Sequence, residues 1–112
     1  MTAYSRPLAL IDALKPVAAE LELAAAISAP GASLTLLDVI PDQGWTWNLL
    51  GRKADEIRNK LEAEKLLAID KLAKDHSTAA LQITSQLASG KTGLAVIKQV
   101  LAGKHDLALL HA

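Results

Sequence analysis

The sequence contains no cysteine and no phenylalanine, and its aromatic residues are one tyrosine and two tryptophans among 112 residues. Without cysteine the chain forms no disulfide, has no thiolate nucleophile and holds no zinc through sulfur. With so few aromatic rings it offers little surface for stacking nucleic-acid bases. The core must therefore be aliphatic, and nucleic acid is not an expected partner.

Net charge is also lacking, because twelve basic residues balance twelve acidic ones. A neutral chain has no positive field to attract a polyanion, which again argues against nucleic acid. No apolar run approaches the roughly 18 residues of a membrane span, and the N-terminal residues lack the pattern of a signal peptide. We expect a cytoplasmic protein with no membrane partner.

The chain does have enough apolar residues for one core. Hydrophobic residues make up 51% of it and charged residues 21%, which is typical of a folded domain. Its length also suits one domain. Residues 1–112 are therefore expected to form a single domain.

Short apolar runs alternate with helical patterns along the chain. Four segments are typical of strands: Leu8–Ile11, Leu34–Ile40, Leu81–Leu87 and Leu107–Leu110. The third alternates apolar and polar residues, which places it near a sheet edge. Strands that alternate with helices predict parallel pairing through right-handed crossovers, hence a doubly wound α/β fold with an open sheet.

Three helices are predicted between these strands. The first begins near Leu14, the second runs from about Lys53 to Asp75, and the third ends at Gly103. Apolar periodicity gives the expected inward residues: Leu14, Val17, Ala18, Leu21 and Ala25 in the first helix, Ile57, Leu61, Ala68 and Leu72 in the second, and Leu94, Ile97, Val100 and Leu101 in the third.

Two aspartates lie where ligands bind in open parallel sheets, at the carboxyl ends of strands. Asp12 follows the first strand, where its carboxylate either accepts a hydrogen bond from a ligand or caps the first helix. Asp38 lies inside the second strand. We expect it to be partly exposed or bonded to a neighbouring loop.

Gly90-Lys91-Thr92 follows a strand and opens a helix, where a phosphate-binding loop would lie. The pattern GxxxxGK[ST] fails at its first glycine, which is Ser85 here. The alternative is a glycine turn capped by Thr92. Phosphate binding by these three residues is the weaker of the two interpretations.

Other catalytic patterns are lacking. His76, His105 and His111 are scattered and have no carboxylates at metal-ligand spacing, so no metal site is expected. No GxSxG nucleophile elbow occurs. We therefore expect no catalytic residue and no enzyme.

Trp45 and Trp47 lie with Leu49 and Leu50 in an aperiodic segment. Such an apolar cluster either meets a partner or packs on its own sheet, and we include both tryptophans among the candidate interface residues.

Four segments resemble the universal stress protein family in their order and spacing: Leu8 to Asp12, Leu34 to Ile40, Gly90 to Ile97 and His105 to Leu110. The resemblance covers nearly the whole chain, and Val100 to Ala112 is most similar to the first half of tandem-domain bacterial members. It implies an open sheet of order 3-2-1-4-5. In nucleotide-binding members, an Asp after strand one and the backbone of a Val in strand two hold adenine, and these positions match Asp12 and Val39.

The chain departs from the family pattern after strand four. Nucleotide-binding members there carry a glycine-rich stretch, G-x-x-G-x9-G-[ST], whose amides hold phosphates, followed by a last helix and strand. Here His111 stands where the first of these glycines would fall. The resemblance implies a truncated domain of order 3-2-1-4 without the fifth strand, with half an adenine site and no phosphate site. No cofactor is expected.

The expected function is that of a universal-stress-protein-like domain in a bacterial stress response, acting by association and not by catalysis. The alternative is an adenine-nucleotide (ATP or AMP) binding module with at most slow ATP hydrolysis. An apolar last strand with an unpaired edge is a template for pairing, so Leu107 and Leu109 are candidate interface residues. The expected partner is a second copy or a sister stress-protein domain.

Overall fold

The computed structural model describes residues 3–41 and 52–110 of the chain. Strands and helices alternate throughout these residues, which confirms the predicted order. The elements are β1 (Pro7–Leu10), α1 (Ala18–Ile27), β2 (Ala32–Pro41), α2 (Arg52–His76), β3 (Leu81–Gly90), α3 (Thr92–Gly103) and β4 (Leu107–Leu109). Within the described ranges no helix is both long enough and apolar enough to cross a membrane.

The four strands form one parallel sheet in the order β3-β2-β1-β4. β2 pairs along its whole length with β3, and Leu8 of β1 lies between Thr35 of β2 and Ala108 of β4. The predicted α/β class, the strand order and the edge position of β3 are confirmed. The direction in which successive strands are added reverses between β1 and β4, and ligands bind near such reversals in open sheets.

Successive residues of the central strands point to opposite faces of the sheet, because side chains alternate along a strand. Ala9 joins a buried cluster with Leu21 of α1 and Ile69 of α2. Leu8 joins a second cluster with Val96 of α3. In the part of the chain that the structure describes, two helices therefore cover one face of the sheet and one helix covers the other.

Helix α1 begins later than its apolar pattern predicts. Its first helical residue is Ala18, and Leu14 is 49% exposed. A proline disfavours helical backbone at the residue before it, so Pro16 keeps Lys15 out of the helix. The helix-cap interpretation of Asp12 is wrong, because the residue at the N-cap of α1 is Val17.

Helix α2 matches its predicted bounds to within one residue at each end. Its buried face differs from the prediction, because Lys65, Ile69 and Ala73 are buried whereas Ile57 is 47% exposed. Ala68 and Leu72 of the predicted stripe are partly buried and pack against the core, so the prediction is confirmed for these two residues. The apolar pattern did not include Lys65 because it is charged.

The predicted inward face of α3 is confirmed at Val100 and wrong at its other three residues. Val96 is buried and Val100 packs against the same cluster, whereas Leu94, Ile97 and Leu101 are exposed. The helix is apolar on almost every side, so its apolar residues did not distinguish the inward face from the others.

Hydrogen bonds anchor the short strand β4 to the N-terminal segment. The Asp106 carboxylate accepts bonds from the backbone N–H groups of Ser5, at 2.7 Å, and Arg6, at 3.0 Å. The Arg6 guanidinium donates to the carbonyl of Gly103, and the imidazole of His105 contacts the carbonyl of Arg6. These contacts position three residues of β4 beside β1.

We expect Leu36→Ala to lower the free energy of unfolding by about 2–5 kcal/mol, because Leu36 is fully buried in the central strand β2 and its truncation leaves a cavity. The matched control is Leu67→Ala, at a side chain that is 74% exposed, with an expected change below about 0.5 kcal/mol. Urea unfolding followed by circular dichroism measures both. Equal losses would contradict the assigned core.

Candidate functional site

A cavity of about 590 Å³ lies at the carboxyl ends of β1 and β2. Residues from both strands, from the turn after β1, and from all three helices contribute to its walls. The lining residues are Leu10, Ile11, Asp12, Lys15, Pro16, Val17, Glu20, Asp38, Val39, Lys65 and Thr92. Its volume is within the range of small-molecule sites, roughly 300–1,000 Å³, and its position is the one that open parallel sheets use for ligands.

Asp12 presents its carboxylate in the wall of this cavity. Oδ1 accepts the backbone N–H of Leu14 at 3.0 Å, and the side chain is 38% exposed. Two ammonium groups lie near it, Lys65 Nζ at 3.8 Å from Oδ1 and Lys15 Nζ at 3.9 Å from Oδ2. A carboxylate has about four acceptor sites, so Asp12 retains capacity for a ligand donor.

Asp38 lies at the base of the cavity and is almost fully buried, with 2% of its surface exposed. Oδ2 accepts the backbone N–H of Ala13 at 3.0 Å, and Oδ1 accepts a hydrogen bond from Lys65 Nζ at 3.1 Å. The predicted bond to a neighbouring loop is confirmed, because Ala13 belongs to the turn after β1. The predicted partial exposure is wrong, because the lysine compensates the buried charge.

Lys65 is the site residue that the sequence analysis missed. Its side chain is 10% exposed, and its ammonium group lies between Asp38 and Asp12. In the sequence it was one of many charged residues on a long helix, which are usually solvated. The detectable signal was its spacing, since Lys65 precedes the buried Ile69 and Ala73 by four and eight residues on one helical face.

Val39 and Asp12, the two positions that the family resemblance implies for adenine, line the same cavity. Val39 is 6% exposed and packs in the cluster beneath α3. The structure thus brings together two residues that are 27 positions apart in the chain.

The Gly90 turn is divided between two cavities. Gly90 and Lys91 line a separate one of about 370 Å³ together with Lys98, whereas Thr92 alone of the three predicted phosphate residues lines the main cavity. Gly90 has a φ of 110°, which explains the requirement for glycine there. The predicted cap by Thr92 is wrong, because Lys91 is the N-cap residue of α3 and no side-chain hydrogen bond caps the helix.

The remaining predicted residues lie away from the cavity. Leu107 and Leu109 are half-buried in β4, and Leu109 packs against the core beneath α1 and α2. Trp45, Trp47 and His111 are outside the described residues. Within residues 3–41 and 52–110, no group of three or more metal-ligating side chains occurs.

Comparison with known proteins finds similarity in structure. No family model and no curated protein matches the chain. Among solved structures, hypothetical protein MJ0577 is 18% identical, with a TM-score of 0.75 over 96% of this chain and 74% of its own. Universal stress protein UspA from Lactobacillus plantarum is 19% identical, with a TM-score of 0.72 over 98% of this chain and 78% of its own. Protein Rv1636 from Mycobacterium tuberculosis H37Rv is 16% identical, with a TM-score of 0.56 over 98% and 72%.

These similarities confirm, at the level of the fold, the resemblance that the sequence motifs indicated. The chain has the fold of a universal stress protein. Identities below 20% show the fold alone, so the function of the site has to be argued from its own residues.

We expect Lys65→Met to lower the free energy of unfolding by about 3–5 kcal/mol, because it leaves the buried Asp38 carboxylate without its cation. The double variant Lys65→Met, Asp38→Asn should recover most of this loss, since no buried charge remains. Lys71→Met, at an exposed lysine of the same helix, is the control and should change stability by less than about 0.5 kcal/mol. Urea unfolding measures the stability of each variant. Equal stability of Lys65→Met and Lys71→Met would contradict the role of the ion pair.

Proposed function

We propose that this chain acts without catalysis, by association with a second copy of itself, as a universal-stress-protein-like domain in a bacterial stress response. The observation that supports this proposal most directly is the character of α3. Val96 is buried against the sheet, yet Leu94, Ile97 and Leu101 on the remaining surface are 51%, 57% and 74% exposed. A helix that is hydrophobic on all sides is typically buried on all sides. The surface of α3 is therefore typical of a helix that packs against the sheet on one side and against other protein on the opposite side.

The sheet face beneath α3 has room for a second helix. Four strands about 4.8 Å apart are roughly 20 Å wide, and packed helices lie about 8–10 Å apart, so two helices cover such a face. Helices α1 and α2 do so on the other side, whereas α3 is the one helix on this face in the described residues. On the half of this face that β1 and β4 form, Leu10 and Ala108 are only partly buried. Leu110, which follows β4, is 60% exposed.

The side of α3 that faces this half of the sheet follows from its other contacts. Ala95, Gln99 and Ala102 line a cavity with Ala88 of β3, so they lie on the β3 side of the helix. The flank with Ile97 faces the opposite way, toward β1 and β4, because it lies about half a turn from Gln99 on the helix.

A twofold arrangement of two copies covers both apolar surfaces. In it, α3 of each copy lies over the β1 and β4 half of the other copy's sheet, and the same patch serves both subunits, as twofold symmetry requires. Pairing through the edge of β4, which the sequence predicts, remains a second way for two copies to meet. The two arrangements differ in whether the exposed leucines of α3 are buried.

We expect Leu101→Glu to convert the assembly to monomers, because it introduces a charge into the proposed interface. Leu67→Glu is the matched control, since Leu67 on α2 is equally exposed at 74% but lies on the opposite face of the sheet. Light scattering across a dilution series measures the mass of each variant. A wild-type monomer at all micromolar concentrations would overturn the proposal, and an assembly that survives Leu101→Glu would favour pairing through β4.

A second proposed function is binding of an adenine compound in the main cavity. It is supported by the meeting of Asp12 and Val39, the two positions that the family resemblance implies for adenine, in one cavity of about 590 Å³. Phosphate groups are not expected to add affinity, because Gly90 and Lys91 line a different cavity. The proposed ligand is therefore recognised by its base.

We expect calorimetric titration to show that ATP binds no more tightly than adenosine. Asp12→Ala should weaken binding of both compounds, because it removes the acceptor in the cavity wall, whereas Lys91→Ala should leave both affinities unchanged. Tight ATP binding that Lys91→Ala abolishes and Asp12→Ala does not would instead identify the Gly90 turn as a phosphate loop.

A further inference from the structure

The ammonium group of Lys65 has donors that no residue in the described ranges uses. It carries three N–H groups, and its hydrogen bond within the described residues is the one to Asp38 Oδ1, at 3.1 Å. The nearest oxygen of Asp12 lies at 3.8 Å, which is an ion pair but exceeds hydrogen-bond length. The side chain is nevertheless 10% exposed and lines the main cavity. A buried ammonium with unused donors favours an additional acceptor, and the cavity is the place from which one can approach.

We propose that Lys65 binds the ligand by working as a pair with Asp12. The Asp12 carboxylate is an acceptor, the Lys65 ammonium is a donor, and 3.8 Å separates their facing atoms in the cavity wall. This pair complements a ligand edge that presents a donor beside an acceptor. The inference rests on the second proposed function, that the cavity holds an adenine compound, and it adds Lys65 as the donor to a ring nitrogen of the base.

Adenine has such an edge, because its exocyclic amino group is a donor and its neighbouring ring nitrogen N7 is an acceptor. The ring nitrogen N1 of adenine also lies beside the amino group and accepts hydrogen bonds. The pair can therefore accept from the amino group of adenine and donate to either N7 or N1.

Lys65 itself has a position suited to this binding role. Its hydrogen bond to the buried Asp38 holds the ammonium group in place, so little side-chain entropy is lost when a ligand binds. Asp38 also accepts the N–H of Ala13, which places the turn that carries Asp12 next to the same ion pair. The donor and the acceptor are thus both positioned before the ligand arrives.

The test is a thermodynamic cycle between Lys65 and the ring nitrogens. Adenosine, 7-deazaadenosine and 1-deazaadenosine are titrated calorimetrically into wild type and into the double variant Lys65→Met, Asp38→Asn, which has no unpaired buried charge. In wild type we expect one deaza compound to bind at least about tenfold more weakly than adenosine, as for a lost hydrogen bond to a charged group. In the double variant that difference should disappear, because the partner of the nitrogen has been removed.

Each result has a distinct meaning. If adenosine does not bind wild type, both the adenine function and the role of Lys65 are overturned. If adenosine binds but the deaza compounds lose the same affinity in both proteins, the role of Lys65 alone is overturned.

A measurement on wild type makes the test independent of whether the double variant folds. Lys65 is the buried lysine of the described residues, so its ammonium protons should exchange more slowly than those of exposed lysines and identify its signal in spectra of ¹⁵N-labelled lysine. Adenosine should shift this signal, and the weaker-binding deaza compound, at saturating concentration, should not. An equal shift with all three compounds would contradict a hydrogen bond from Lys65 to the ring.

Discussion

The position of the candidate site depends on the buried Asp38 carboxylate. This residue lies in the central strand β2, and its two oxygens contact the turn after β1 and the middle of α2. Removing a carboxylate from water costs several kcal/mol unless charged and hydrogen-bonding partners replace the water. Any arrangement that moves Lys65 or Ala13 away therefore carries that cost. Asp12 forms a second ion pair with the same lysine, so the wall of the cavity and the interior of the fold share one cation.

The unequal covering of the sheet is the second feature with consequences for function. One face has α1 and α2 packed upon it, and the other has α3, whose exposed surface is largely leucine and isoleucine. Apolar area in contact with water favours association in proportion to its size. Thr92, the first residue of α3, also lines the main cavity. The proposed interface and the proposed ligand site thus both involve residues of one helix.

Periodicity is informative for some elements of this fold and uninformative for others. The bounds of α2 and the edge strand β3 follow from long, regular patterns, and both were predicted correctly. The inward face of α3 was not, because apolar residues occupy nearly every side of it. The start of α1 was misplaced because apolar spacing continues through Pro16, whose effect on the preceding residue prevents the helix from beginning there. Asp12 and Val39 were predicted as partners, and the parallel pairing of β1 with β2 explains why they meet.

By itself, the sequence determined the alternation of strands and helices and the parallel sheet, because residue periodicity and crossover handedness are local or topological rules. The strand order was implied by the family resemblance. Only the tertiary structure decided that Lys65 is buried and that Gly90 and Lys91 line a different cavity from Asp12. It also decided which side of α3 meets the sheet. The physical reason is that the burial of a charge depends on a partner distant in the chain, and Lys65 meets Asp38 across 27 residues. No pattern within either segment encodes that meeting, which exists once β2 and α2 have packed together.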